Sequence, residues 1–190
     1  MKMIRTNIVE KKFNFVSSLS NRSHTDLIVI HHTGGARDID ASAEQIHDWH
    51  ISAGYSGIGY HFVIRKDGTI ERGRPINAVG SHAFGSNSHS IGIHLSGNFE
   101  ITYPTMAQIE MTAMLIANLC VDFDIPTDRN HVKGHFEVDP DGLSGTSCPG
   151  KNLTAQLDTI VGKANWYRYS EPDVVDKPAK KICPTCGREF

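Results

Sequence analysis

From Asp26 to His32 the chain reads DLIVIHH, a β-branched run of the kind that fills a strand buried on both faces, and it breaks at Thr33-Gly34-Gly35. Ser42 with Gln45 three residues on is the pattern of a capping box, and Ile46, Trp49 and His50 follow at helical intervals, so a short helix is expected over about 43–51. Tyr60-His61-Phe62-Val63-Ile64 alternates into Arg65-Lys66-Asp67-Gly68 and resumes at Thr69-Ile70-Glu71-Arg72; Asp-Gly between two such runs predicts an antiparallel hairpin. Ser90 to Leu95, SIGIHL, reads as a further core strand. Thr105 with Gln108 caps a longer helix in which Ile109, Ala113, Ile116 and Cys120 recur every three or four residues.

Beyond Asn130 the chain passes through Val132 into a loop, His135 to Gly150, rich in Gly, Asp, Ser and Pro; a connection of about 15 residues in a compact domain is usually functional or disordered. Asn152 is placed to cap a last helix carrying Leu153, Leu157, Ile160 and Val161. From Asn165 the chain turns polar and Pro-containing. The expected organisation is an N-terminal extension over 1–24, one catalytic domain over 25–164 and a tail over 165–190.

Composition narrows the function. The 190 residues, 39% hydrophobic and 21% charged, suit one core plus a tail. With 19 Lys+Arg against 21 Asp+Glu, the formal net charge of -2 argues against the broad positive field that nucleic acids or anionic membranes attract. No stretch reaches the roughly 18 to 20 apolar residues of a membrane span, and the start lacks an apolar signal region of about 7 to 15 residues; synthesis in the cytoplasm without a signal peptide is the expectation. Four cysteines, at 120, 148, 183 and 186, are too few and too uneven for a disulfide scaffold, which leaves metal ligation or buried thiols.

Three features then converge: a His31-His32 pair at a strand's end, His135 opening the long loop, and Cys148 closing it beside Pro149-Gly150. Catalytic zinc takes three protein ligands from His, Cys or carboxylate and keeps a fourth position for water. Two imidazoles and a thiolate meet that demand. A different chemistry, Cys148 as a nucleophile with a histidine base, uses the same residues.

IVIHHTGG, GIGYHFVIRKDGTIERGR, AVGSHAFGSNSHSIGIHLSGNF and GHFEVDPDGLSGTSCPG, in that order between about Leu27 and Gly150, resemble the successive blocks of the type 2 N-acetylmuramoyl-L-alanine amidases, a group that includes bacteriophage lysozyme-type amidases and the peptidoglycan recognition proteins. The resemblance implies an α/β fold with a mixed central sheet of about five to six strands flanked by helices. It implies Zn2+ held by His31, His135 and Cys148, and a catalytic tyrosine at Tyr60. Thr146 stands where phage members often carry lysine and recognition-protein amidases carry threonine; either donates a hydrogen bond to the carbonyl oxygen, but only lysine brings a full charge. His32 is expected to face away from the metal, since strand neighbours alternate, and to shape the pocket. Ser81, His82 and Asn87 fall in the family's substrate-groove wall, and Tyr60, or His82 through water, is the available proton handler.

The implied reaction is hydrolysis of the bond between N-acetylmuramic acid and L-alanine of peptidoglycan by a monomeric phage-type endolysin, released to the wall through a holin. A cytosolic recycling enzyme acting on soluble anhydromuropeptides is the alternative. Family members that bind peptidoglycan without cutting it typically lack the cysteine, which is present here as Cys148. Some phage relatives also bind and inhibit an RNA polymerase, a further partner the resemblance brings in. The tail reads KKICPTCGREF, where Cys183 and Cys186 form a Cys-x-x-Cys of the kind that commonly supplies half of a zinc ribbon; the sequence has no second one, so a four-ligand site would need a histidine or a second protomer, unless the partner knuckle has been lost.

Overall fold

The computed structural model describes residues 4–169 apart from 140, 141 and 143. The tail beyond 169, with the Cys183/Cys186 knuckle, lies outside the described residues. Six strands, β1 (Ile8–Val9), β2 (Leu27–His32), β3 (Phe62–Ile64), β4 (Ile70–Arg72), β5 (Ser90–Leu95) and β6 (Val132–Gly134), form one sheet in the order β1-β4-β3-β5-β2-β6. The β3/β4 hairpin is antiparallel and the other pairings are parallel, so the sheet is mixed. Helices α1 (Ala43–Ser52), α2 (Met106–Asp122), α3 (Lys151–Thr154) and α4 (Leu157–Tyr169) cover it.

Alternation along β2 sorts the two faces. Ile28 and Ile30 join Ile91, Ile93, Leu95, Phe62 and Ile64 against α2 and α4 in the main core. Each fully buried aliphatic side chain there contributes roughly 1.5–3 kcal/mol. The opposite face carries Val29 and Val63 in smaller clusters, with Ile46 of α1 and with Ala83. That thinner face leaves room for polar chemistry.

The two capping-box signals hold. Ser42 and Thr105 cap α1 and α2, and both capping boxes form through Gln45 and Gln108. Buried Glu71 adds a carboxylate oxygen at 2.7 Å from the Ala43 N–H, where the helix dipole favours negative charge.

Two expectations need correction. Val132 does not lead directly into a loop but opens β6, whose three residues carry too little alternation to read as a strand. The last helical stretch is capped at Gly150 rather than Asn152, whose side-chain amide instead donates to Thr102 O at 2.8 Å, and α4 continues past 165 to Tyr169. Residues 4–24, within the expected N-terminal extension, pack on the domain: β1 forms the sheet edge beside β4, the Asn118 side chain bonds Ile4 O and Thr6 N, and Phe13 and Phe15 pack beside α1.

Candidate metal centre

His31 lies at the carboxyl end of β2, on the face away from α2 and α4, and is almost fully buried. β6 pairs with β2 so that Gly134 sits opposite Ile30, which delivers His135 beside His31, their ring centroids 4.6 Å apart. The long loop then returns: Phe136 N–H donates to Cys148 O at 2.8 Å, and Gly134 accommodates Pro149, which a Cβ there would meet at 2.8 Å. The result is a cluster in which one donor atom from each of His31, His135 and Cys148 lies within 4.8 Å of the others. Cys148 Sγ is 3.6 Å from His31 Nδ1.

These residues fit zinc. Tetrahedral bonds of about 2.3 Å to sulfur and 2.0–2.1 Å to nitrogen separate the two ligand atoms by about 3.6 Å, the spacing found between Cys148 Sγ and His31 Nδ1. Burial lowers the proton affinity of His31 well below the usual imidazole range, assisted by neighbouring His82 and His135, and burial lowers that of His135 against the opposing pull of Asp139. Both rings are thus neutral near pH 7 and offer lone pairs. Burial pushes the Cys148 thiol up to about 12, so ligation there entails loss of its proton to the metal's field.

A hydrogen-bond chain behind His31 assigns its tautomer. Ser90 Oγ donates to Ser86 O at 2.7 Å, which leaves the Ser90 hydroxyl oxygen to accept from His82 Nε2–H at 3.4 Å. His82 Nδ1 then accepts from His31 Nε2–H at 3.0 Å, and the His31 Nδ1 lone pair faces Cys148. The neighbouring N–H of a ligating histidine is commonly fixed in this way.

Tyr60 stands over the cluster, its ring centroid 5.0 Å from that of His31 and 4.7 Å from that of His94. Two histidines three apart on α1 set its backbone: His47 Nδ1 accepts from Ile58 N–H at 3.2 Å and His50 Nδ1 from Gly59 N–H at 3.0 Å. Burial and the Cys148 thiol raise the phenol above its ordinary value, so it is a hydrogen-bond donor rather than a base. Half-buried Thr146 accepts from Cys148 N–H at 3.2 Å through its hydroxyl oxygen, and its own O–H is left to donate.

The remaining sequence-derived residues divide. His32 faces the other side of the sheet, where its Nδ1 accepts from Phe99 N–H at 3.1 Å and its ring fills the space above Gly34 and Gly150. His82 sits beneath His31, 9% exposed, with both ring nitrogens engaged. That geometry differs from the groove-wall and proton-handling roles expected for it, because no ring nitrogen is left for a substrate or a water. Asn87 Oδ1 accepts from the His82 and Ala83 N–H groups at 2.7 and 2.9 Å and holds the loop that carries them. Ser81 N–H donates to Gly59 O at 3.1 Å, so its backbone braces the segment before Tyr60.

Sequence reading passed over His94 and His50. His94 sits opposite His31 on β5, with Nε2 3.0 Å from Thr33 Oγ1 and a buried Nδ1 that has no hydrogen-bond partner among the described residues; its ring lies beside Tyr60. A histidine in the apolar run SIGIHL was the available signal.

Residues 21–151 match the family model described as N-acetylmuramoyl-L-alanine amidase. The chain belongs to the N-acetylmuramoyl-L-alanine amidase family. This family member is 37% identical over 135 residues to the endolysin of Klebsiella phage KP32, across 70% of the chain and 86% of the relative. It is 33% identical over 138 residues to the endolysin of Escherichia phage T7, across 70% and 85%. Among solved structures it resembles the N-acetylmuramoyl-L-alanine amidase LysC from Clostridium intestinale, 40% identical with a TM-score of 0.73, covering 84% of the chain and 98% of LysC. Peptidoglycan recognition protein LE in complex with tracheal cytotoxin, a monomeric diaminopimelic acid-type peptidoglycan, is 25% identical with a TM-score of 0.68, covering 80% and 92%. The amidase fold expected from the sequence, a mixed sheet of about five to six strands with flanking helices, is the fold observed, with six strands among the described residues.

Proposed function

We propose that this amidase-family chain is a zinc-dependent N-acetylmuramoyl-L-alanine amidase that hydrolyses the bond between N-acetylmuramic acid and L-alanine of peptidoglycan, and that it acts on the cell wall as a phage-type endolysin. The observation that carries the reading is the pairing of Cys148 Sγ with His31 Nδ1 at 3.6 Å within the three-residue cluster completed by His135. The endolysin relatives and the similarity to LysC support the reaction; the muropeptide named in the recognition protein complex supports the substrate class.

His31, His135 and Cys148 would hold the metal. A zinc ion held there would supply Lewis acidity at the scissile carbonyl and acidify a water to a pKa of about 7. Tyr60 donates its phenolic hydrogen bond toward the oxygen on which negative charge develops, a role a raised pKa preserves because the proton stays on the phenol at working pH. Thr146 donates its hydroxyl proton to the same carbonyl oxygen and keeps its lone pair on the Cys148 amide. His82 and Ser90 keep His31 in the ligating tautomer. His32, tied to Phe99, shapes the end of β2 rather than contacting the reacting atoms.

The test is release of new L-alanine amino termini from purified peptidoglycan, with and without EDTA followed by zinc, beside Cys148→Ala. Release that disappears on chelation, returns with zinc and is missing in the variant is the expected result. Amino termini released undiminished in EDTA sink the metal and favour a cysteine hydrolase; no release from any wall type by zinc-loaded protein sinks the enzyme and leaves a binding module.

A further inference from the structure

A second group of ligand-type side chains lies at the opposite end of the two strands that carry His31 and His94. His24 and Asp26 are two residues apart on the segment that runs into β2, and His89 immediately precedes β5. The backbone fixes them together: Asp26 N–H donates to His89 O at 3.1 Å, and the β2/β5 register begins one residue later with Leu27 opposite Ser90. One carboxylate oxygen of Asp26 lies 2.5 Å from His89 Nδ1 and the other 3.6 Å from His24 Nε2. The two imidazoles face one another across it, centroids 5.8 Å apart and planes within 12°.

One imidazole is enough to hydrogen-bond a carboxylate, and His89 already supplies it. His24 stands beyond the hydrogen-bond range of about 3.2 Å, yet it is held with its nitrogen toward the second oxygen. That separation is close to the spacing of about 3.3 Å between N and O ligands of a tetrahedral ion with bonds near 2.0–2.2 Å. The 2.5 Å pair would have to open by about 0.8 Å, a side-chain adjustment that exposed groups accommodate. Among the described residues no lysine or arginine bridges Asp26. Nearby Arg22 is turned inward, its guanidinium donating to Ile76 O and Ala78 O at 2.6 Å.

We propose that His24, Asp26 and His89 form a second, surface site for a divalent first-row ion such as Zn2+. Two imidazole nitrogens and one carboxylate suit borderline ions, and the exposure of the cluster leaves the remaining coordination positions to water. A bound ion joins the segment before β2 to the start of β5 and acts as a structural clip. The site rests on residues separate from the Cys148 centre, so either can fail without the other.

The test is equilibrium dialysis of the full chain against Zn2+, with metal and protein counted together, in a Cys183→Ser/Cys186→Ser background that removes the tail thiols. Asp26→Asn and His89→Ala should each bind one equivalent fewer than this parent, while Cys148→Ala should keep the equivalent that those two lose. Cobalt makes the two sites distinguishable: Cys148→Ala should lose the sulfur-to-cobalt charge-transfer band and retain bound cobalt, whereas His89→Ala should keep the band. Asp26→Asn preserves the side chain's shape, so a folding defect in the alanine variant does not hide the answer. Equal stoichiometry in the parent, Asp26→Asn and His89→Ala overturns the site and leaves an ion pair with a stacked neighbour.

Discussion

His31 Nε2 and His82 Nδ1 lie 3.0 Å apart in a buried contact, although 51 residues separate them in the chain. In the proposed zinc site the pair fixes the tautomer of one histidine and makes the other its support. The support costs desolvation: burial lowers the proton affinity of His82 well below the ordinary imidazole range, with neighbouring His61 and His135 acting in the same direction.

Removing that support should loosen the metal. Zinc affinity of His82→Ala is expected to fall tenfold to hundredfold, the usual range for a lost partner of a ligating histidine. Competition with a chromophoric chelator measures it directly, and an unchanged dissociation constant would mean that His31 is oriented by packing alone.

Gly92 supplies an independent way to disturb the same pair. A Cβ at this β5 position would meet His82 Cδ2 at 2.6 Å and Cγ at 2.7 Å, too close for any real contact. Gly92→Ala should displace the His82 ring, weaken zinc in the same sense as His82→Ala, and add nothing when combined with it. A full additional loss in the double variant would show that the two act through different contacts.

Tyr60→Phe separates transition-state help from metal binding. It keeps the ring beside His31 and removes only the hydroxyl, so zinc affinity should stay within about twofold, which in free energy is about 0.4 kcal/mol. Turnover of peptidoglycan fragments should fall by about 10²–10³, the cost of one oxyanion donor. Steady-state kinetics on a soluble muropeptide tests this, and a rise in KM with kcat intact would reassign the phenol to ground-state binding.

The buried histidines also set the acid limit of the metal-free protein. Burial holds His61 and His94 at about 3, against an ordinary value of about 6.5. Below that value the unfolded chain takes up protons that the folded protein refuses, so stability is retained above pH 6.5 and falls as the pH is lowered toward 3. Each such histidine accounts for up to about 1.4 kcal/mol per pH unit in that window. Urea unfolding in EDTA at pH 7, 6 and 5 should show the decline, and His94→Gln should make it shallower; identical slopes for the two proteins would place the uptake elsewhere.

Much of this protein is local in origin and therefore readable along the chain. The capping boxes at Ser42/Gln45 and Thr105/Gln108 need only three-residue spacing, the Asp67-Gly68 turn needs only its own backbone freedom, and the apolar runs before His31 and around His94 state their burial by composition. Resemblance then singled out His31, His135, Cys148 and Tyr60, which the fold gathers within one site. Tertiary structure alone decided the rest. β1 and β6, with two and three residues, have no periodicity and exist because β4 and β2 offer them backbone partners. Residues 4–24 attach through Asn118 and the α1 face, which lie far along the chain. The tautomer of His31 depends on His82 and Ser90, and Asp26 is brought beside His89 just ahead of the β2/β5 register. Those contacts are long-range hydrogen bonds fixed by strand pairing, and a one-dimensional pattern carries no record of which strand lies beside which.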